Sequence, residues 1–245
     1  MLTLQEKQRI FDILAPKFAY LYPDNCFDEE ENEDYYDGED HWMQVCDIIG
    51  ADGFEFGASK VVFFFSEIPE YVVKVPILGT YDSYEHDYID YSQAVPMTKE
   101  LADYCNNNWN DYCGLEAGIY GYIMANFSKL AKFFVSTEYI GTTSNNINLY
   151  VSKKVRTYYA YDCEHNFEIS KRSQESAKLI FDTYNRIGGL SSSFLCCLCE
   201  QYPEEDVWDL VDFIKDCYID DLHSQNVGFD ENDNPVIMDY CGFNS

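Results

Sequence analysis

Two runs of β-forming residues, Val61-Val62-Phe63-Phe64-Phe65 and Tyr71-Val72-Val73-Lys74-Val75, flank the segment Ser66-Glu67-Ile68-Pro69-Glu70. Branched and aromatic side chains at this density, interrupted by a proline and two glutamates, predict an antiparallel hairpin. An isolated hairpin is at best marginally stable in water, so the rest of the chain has to supply a partner layer. The opening residues offer one. Over positions 3–22 the apolar residues Ile10, Leu14, Phe18 and Leu21 recur at helical spacing and predict an amphipathic helix.

The remaining chain sorts by the same signals. Positions 24–40 are dominated by Asp and Glu, with Pro23 and Gly38 as punctuation, and read as a solvated loop without a site. Positions 79–110 are polar and read as a long connection with a short helix from Thr98 to Tyr104. A helix is predicted over about 111–130, with Leu115, Ile119, Tyr122 and Ile123 on one face. Strands are predicted over 133–140 and 147–151, joined by a Gly-Thr-Thr-Ser-Asn-Asn turn. From position 171 the pattern is helical: 171–187, a Gly188-Gly189 break, 193–201, then 204–218 opened by Pro203-Glu204-Glu205. A short strand pair over 226–240 turns at Asn232-Asp233-Asn234. Strands with one helix, followed by helices with one small hairpin, predict an α+β class in two lobes. The segments are 1–40 (helix and acidic loop), 41–151 (first lobe) and 152–245 (second lobe). There is no internal repeat.

At 245 residues and 47% hydrophobic content, the chain can bury a substantial core. Its net charge of −28 argues against broad attraction to nucleic acid or anionic lipid. The same field repels any anionic ligand at long range, although salt screens exposed charges beyond roughly 8 Å. The start, Met1-Leu2-Thr3-Leu4-Gln5-Glu6-Lys7, lacks a basic stretch followed by an apolar run, and no apolar run approaches the length of a membrane span. Ten cysteines in a chain of this kind read as reduced thiols of a cytoplasmic protein. Cys196-Cys197-Leu198-Cys199 has no second Cys/His pair at matched spacing, and reads as a helix or loop packed with small apolar thiols rather than as a zinc site.

The densest chemistry lies near the end. Asp221-Leu222-His223-Ser224-Gln225-Asn226 is followed by Asp239, directly behind the apolar run Pro235-Val236-Ile237-Met238. In phosphoryl transfer from a nucleotide, one carboxylate orients the attacking hydroxyl while an amide and another carboxylate hold Mg²⁺ on the phosphates. The competing reading is a loop in which Asp and Asn merely cap turns. Against that reading stand the spacing of all three residues and their setting, after a predicted helix and before a predicted hairpin.

This order of elements, with Asp221, Asn226 and Asp239 near its end, resembles the protein-kinase-like fold. The Asp-Leu-His-x-x-Asn form is similar to small-molecule kinases of the aminoglycoside and choline type, and equally to short bacteriophage kinases. The resemblance spans roughly residues 45–243. It implies that Asp221 is the catalytic carboxylate, that Asn226 and Asp239 are metal ligands, and that ATP and Mg²⁺ are the cofactors. It further implies that Lys74 anchors the nucleotide and pairs with a helix glutamate, for which Glu116 is the candidate. Burying Lys74 in an apolar strand without such a partner would be costly. The alternative is that Lys74 extends to water from an edge strand and Glu116 faces solvent. In the segment Gly53-Phe54-Glu55-Phe56-Gly57-Ala58-Ser59-Lys60, Gly57 aligns with the middle glycine of the family's phosphate-cradling loop. Glu55 and Lys60 stand where its outer glycines belong, one with the wrong charge for phosphate and one with the right charge. The position two residues before Asp221, where relatives often carry His, is Ile219, and His223 reads as a structural hydrogen-bonding residue of the loop. Tyr240-Cys241-Gly242 stands in place of Phe-Gly after the metal aspartate.

Three functions follow as expectations. The first is an ATP/Mg²⁺-dependent phosphotransferase acting on a protein hydroxyl, with a basic protein as the natural partner of so acidic a surface. The second is a kinase-like module that binds a partner without transferring phosphate. The third uses the acidic surface as a decoy for DNA-binding proteins. The first reading requires Lys74, Glu116, Asp221, Asn226 and Asp239 to gather around one metal-bound triphosphate.

Overall fold

A computed structural model describes residues 1–19, 21, 38–57, 59–77, 111–158 and 168–243. The expected helix at 98–104, the long polar connection and most of the acidic loop lie outside these residues. The chain divides into two compact units. Of the described residues, those up to 77 belong to the first unit, together with 111–118 and 136–154; residues 119–135 and 155–243 belong to the second.

The class is α+β, and the first unit is organised by a five-stranded antiparallel sheet of order β1-β2-β3-β5-β4. Its strands are β1 (Gly53–Phe56), β2 (Lys60–Phe64), β3 (Tyr71–Pro76), β4 (Thr137–Thr142) and β5 (Asn148–Lys153). The predicted hairpin is β2–β3, and its register sets Val62 opposite Lys74. Because side chains alternate along a strand, this register fixes both faces of the sheet. Val61, Phe63, Val73, Val75, Leu149 and Val151 are buried in the apolar layer. Lys60, Val62, Lys74, Tyr150, Ser152 and Thr137 occupy the other face.

Helix α1 (Leu4–Phe18) covers the apolar face with Ile10, Leu14 and Phe18, spaced four apart as the sequence predicts. It starts at a capping box: the Thr3 hydroxyl accepts the Glu6 N–H, and the Glu6 carboxylate accepts the Thr3 N–H at 2.7 Å. Glu138 of β4, almost fully buried, then accepts the Leu2 N–H at 2.9 Å and the Lys7 ammonium at 3.1 Å. Beside α1 lies a helix that the sequence reading missed, α2 (Gly38–Ile49), with Trp42, Val45 and Ile49 in the same core. Positions 38–40, read as part of the acidic loop, are therefore helical. Trp42, Val45, Cys46 and Ile49 form an i, i+3, i+4, i+7 pattern that could have revealed it.

The helix expected over about 111–130 is α3 (Tyr112–Asn126), followed by a short 3-10 segment, Ser128–Phe133. In the second unit, α4 (Lys171–Tyr184), α5 (Ser192–Gln201) and α6 (Glu204–Asp216) appear within a few residues of their predicted bounds. Ser170 and Ser191 cap the first two, accepting the N–H of Ser173 at 3.2 Å and of Phe194 at 3.1 Å. The predicted strand pair is β8 (Val227–Phe229) with β9 (Pro235–Ile237), extended by β6 (Arg156–Thr157) on the far side of β8. A two-stranded pair of β7 (Ile219–Asp220) and β10 (Gly242–Phe243) completes the unit. Its core joins Phe194 to Tyr158 and Phe229, and Phe134 to Phe213 and Tyr240. Among the described residues no helix is long and apolar enough to cross a membrane.

Leu14 is fully buried between α1 and the sheet. Leu14→Ala is therefore expected to destabilise the protein by about 3 kcal/mol, within the range for buried leucines. Urea denaturation followed by tryptophan fluorescence measures this loss. A loss below about 1 kcal/mol would mean that α1 is not part of the sheet's core.

Candidate functional site

Of the six residues singled out from the sequence, Gly57, Lys74 and Glu116 fall in the first unit, and Asp221, Asn226 and Asp239 in the second. The two groups are built on different physics.

In the first unit, Lys74 is only 6% exposed and Glu116 is 0% exposed. The Lys74 ammonium donates to Glu116 Oε2 at 2.7 Å and to the Thr137 hydroxyl at 3.1 Å. The pair is thus closed, and the alternative of a solvent-directed lysine and glutamate does not hold. Thr137 is also bonded to Ser152, 2.7 Å away on the neighbouring strand, so the ammonium sits on a fixed polar platform. The strand register explains the placement. Lys74 pairs laterally with Val62 and Tyr150, which puts it on the polar face of the sheet in an interior strand.

Lys60 is a further member that the sequence reading had assigned to the phosphate loop. It lies two residues from Val62 on β2 and therefore shares the Lys74 face, diagonally across the hairpin. Its ammonium stands 3.7 Å from Glu116 Oε2, and the residue is almost fully buried. One carboxylate oxygen thus serves two ammonium groups. The β2–β3 register, which places Lys60 opposite Pro76, carries the signal for this, but only once the pairing is known.

Gly57 sits just beyond β1, exposed, with its N–H donated to the Lys60 carbonyl at 3.0 Å. Its backbone is not left-handed, and a β-carbon added there would meet nothing within 4 Å. Nothing in its surroundings demands a glycine. Its neighbour Ala58 lies outside the described residues.

In the second unit, Asn226 is the organising side chain. Its Nδ2 donates to the Asp221 carbonyl at 2.7 Å, and the main-chain carbonyl of the same residue accepts the N–H groups of Met238 at 2.8 Å and Asp239 at 3.3 Å. A single asparagine therefore ties the loop that carries Asp221 to the strand end that carries Asp239. With Nδ2 committed to Asp221, its Oδ1 is the atom left to accept a donor or a cation. His223 works within the loop as expected. Its Nδ1 accepts the Gln225 N–H at 3.2 Å, and its Nε2 lies 3.3 Å from Asn226 Nδ2 and 3.6 Å from Asp221 Oδ1.

Asp221 itself is held at φ +71°, a left-handed conformation that costs a non-glycine residue free energy. Its side chain is 63% exposed. The surroundings impose this conformation: the Leu222 N–H donates to the Gly188 carbonyl at 2.6 Å, and β7 ends at Asp220 against Gly242 of β10. A β-carbon at Gly242 would come within 2.5 Å of Asp221 Cβ, so only glycine lets the chain pass so close behind this carboxylate. Arg186 Nη2 donates to Asp220 Oδ2 at 2.7 Å, which anchors the residue just before it. The sequence reading found Asp221, Asn226 and Asp239 but missed Gly242 and Arg186 as their supports, since neither belongs to the spacing pattern.

Among the described residues, no three His, Cys, Asp or Glu side chains gather as a metal centre. This includes the cysteines of α5, where Cys197 is buried against the helical core.

The shared carboxylate makes an asymmetric prediction. Removing one member of a buried ion pair costs about 3–5 kcal/mol, because the other charge is left uncompensated. Glu116→Leu strands two ammonium groups and is expected to destabilise by at least this much. Lys74→Met leaves Lys60 beside Glu116 and is expected to cost clearly less. Chemical denaturation of both variants measures the difference, and the reverse order would show that Lys60 does not share the carboxylate.

A scan of this chain against protein-family models finds no match, and a search of curated proteins finds none either.

Proposed function

We propose that this protein is an ATP- and Mg²⁺-dependent phosphotransferase of the protein-kinase-like fold, two-lobed, with a protein hydroxyl as acceptor. The observation that carries the reading is the arrangement around Asn226. One asparagine joins the two segments: its side-chain Nδ2 donates to the carbonyl of the exposed, left-handed Asp221, and its main-chain carbonyl accepts the N–H of Asp239 just beyond a buried strand. Strain of this kind tends to persist where a side chain has to be presented for chemistry.

The roles follow from the donor sets. Asp221, with its backbone carbonyl held by Asn226 and its exposed carboxylate 3.6 Å from His223 Nε2, is presented to accept the proton of an attacking hydroxyl. As that proton moves to the Asp221 carboxylate, the acceptor oxygen forms its bond to the γ-phosphorus, and the bond to the leaving ADP oxygen breaks. Asn226 Oδ1 and the half-buried Asp239 carboxylate are hard oxygen donors that suit Mg²⁺. The ion is usually held by one or two carboxylates plus substrate phosphates rather than by an all-protein cage, so a three-carboxylate cluster is not required. When bound, it would neutralise charge on the phosphates. Lys74, held in place by Glu116 and Thr137, supplies a fixed positive charge suited to a nucleotide phosphate.

A second reading, a kinase-like module that recognises a partner without phosphoryl transfer, is favoured by one observation. Gly57 needs no glycine, and Lys60 beside it is drawn to Glu116. Neither feature is what a backbone cradle for phosphates calls for. In both readings the charge of −28 favours a basic protein as partner.

Incubation with γ-labelled ATP, Mg²⁺ and a lysate of candidate acceptors tests the first reading. Asp221→Asn tolerates the left-handed backbone and is expected to lower label transfer by about 10²–10⁴-fold. Equal transfer by the variant and the native protein would remove Asp221 from the chemistry. Thermal denaturation with millimolar ATP and Mg²⁺ separates the two readings. The phosphotransferase is expected to gain stability with ligand concentration and Asp239→Ala to lose that gain, whereas a pure binding module gains none.

A further inference from the structure

Asp111 stands immediately before α3 and bonds in two directions. Its Oδ1 accepts the Gly114 N–H at 2.8 Å and its carbonyl accepts the Leu115 N–H at 2.9 Å, which caps the first turn of the helix that carries Glu116. Its Oδ2 accepts the Tyr150 hydroxyl and, at 3.2 Å, Asn148 Nδ2. Both of these residues belong to β5, and Tyr150 is the lateral neighbour of Lys74. The contact is close-packed: a β-carbon at Gly114 would meet the Tyr150 hydroxyl at 2.9 Å and Asp111 Oδ2 at 3.3 Å. From Asn148 the bonds continue to the Thr142 hydroxyl at 2.7 Å, and the Tyr139 ring packs against Tyr150 with centroids 5.4 Å apart.

A helix cap alone does not explain this. Serine or threonine caps as well as aspartate does and carries no charge to desolvate. Burial raises the Asp111 carboxyl above its ordinary range, and the Tyr150, Gly114 and Asn148 donors offset only part of that rise. Only a carboxylate offers enough acceptor sites to take the helix N–H and both strand donors at once. The arrangement therefore keeps a buried carboxylate where a hydroxyl would satisfy the helix.

We infer that Asp111 is a positioning residue: it sets the start of α3 against β5 and thereby holds Glu116 on Lys74. Its relevance to phosphoryl transfer rests on the function proposed above, whereas its effect on the ion pair does not.

The test reads the ion pair directly. Lys74 is acylated with an amine-reactive ester under native conditions, and its modification is quantified by peptide mass spectrometry. Glu116→Gln, which removes the counter-charge, sets the upper limit. Asp111→Ala is expected to raise Lys74 modification about fivefold, on the order of the loss of one buried hydrogen bond. Tyr150→Phe keeps the cap and the strand but removes one tether, and is expected to raise it about twofold. Adding Asp111→Ala to Glu116→Gln is expected to change nothing more. Native-level modification in both Asp111→Ala and Tyr150→Phe, with Glu116→Gln elevated, would reduce Asp111 to a helix cap and overturn the inference. A further rise in the double variant would overturn it too, since Asp111 would then act on Lys74 by another route. Should Asp111→Ala fail to fold, Tyr150→Phe decides alone. The expected modification pattern in a protein that transfers no phosphate would uphold the positioning role and sink the phosphotransferase reading.

Discussion

An ammonium group inside a sheet is tolerable only with a carboxylate held against it, and much of the first unit is arranged to meet that condition. Lys74 lies on an interior strand, so it cannot reach water past an edge. Glu116 must then arrive from a helix, fully desolvated, at one height and one rotation. The Asp111 cap, the close approach at Gly114 and the Thr137–Ser152 platform all bear on that single contact. Lys60 on the same oxygen sharpens the point. A chain with only 16 basic residues against 44 acidic ones commits two of them to one buried glutamate. Such a cluster adds little to stability compared with a well-packed apolar replacement. Its value lies in holding charge at a defined place.

The second unit reaches definition by other means. There the candidate side chains are exposed or half-buried, and backbone hydrogen bonds do the fixing. Asn226 uses its amide on one segment and its carbonyl on another, while the β7–β10 pair and Gly242 press the chain into a left-handed turn at Asp221. Tyr218, just before β7, is also left-handed, as are Gly188 and Gly189, whose carbonyl and amide groups border the same loop. Strain concentrated in so short a stretch is affordable because the helices around it are securely packed, with Leu210, Val211 and Ile214 of α6 wholly buried.

Where the sequence was legible, the reason is periodicity. The four-residue spacing of Ile10, Leu14 and Phe18 gave α1, and the valine-rich runs gave β2 and β3. The helical pattern from position 171 and the Gly188-Gly189 break placed α4 and α5 within a few residues. Legibility failed where local signals conflicted. Helix α2 was hidden because its apolar stripe begins inside a run of acids and opens at a glycine. The end of α3 was overshot because Phe127 and Leu130 continue the apolar pattern into a 3-10 segment. Gly57 was singled out by alignment alone, and its open surroundings give that choice no physical support.

The longer helices other than α2, the strands of the β2–β3 hairpin with their buried face and the candidates Lys74, Glu116, Asp221, Asn226 and Asp239 could be read along the chain. Each depends on the spacing of neighbours, or on a resemblance carried by spacing. Beyond the Lys74–Glu116 pair, the contacts between distant segments could not be read in that way. Lys60 joins Lys74 on Glu116 because antiparallel pairing sets Val62 beside Lys74. Asp111 touches Tyr150 and Asn148 across almost forty positions of sequence because α3 starts where β5 passes. Gly242 lies behind Asp221 because β10 returns to β7. Register between distant segments is settled by the packing of whole layers, and only the folded chain contains it.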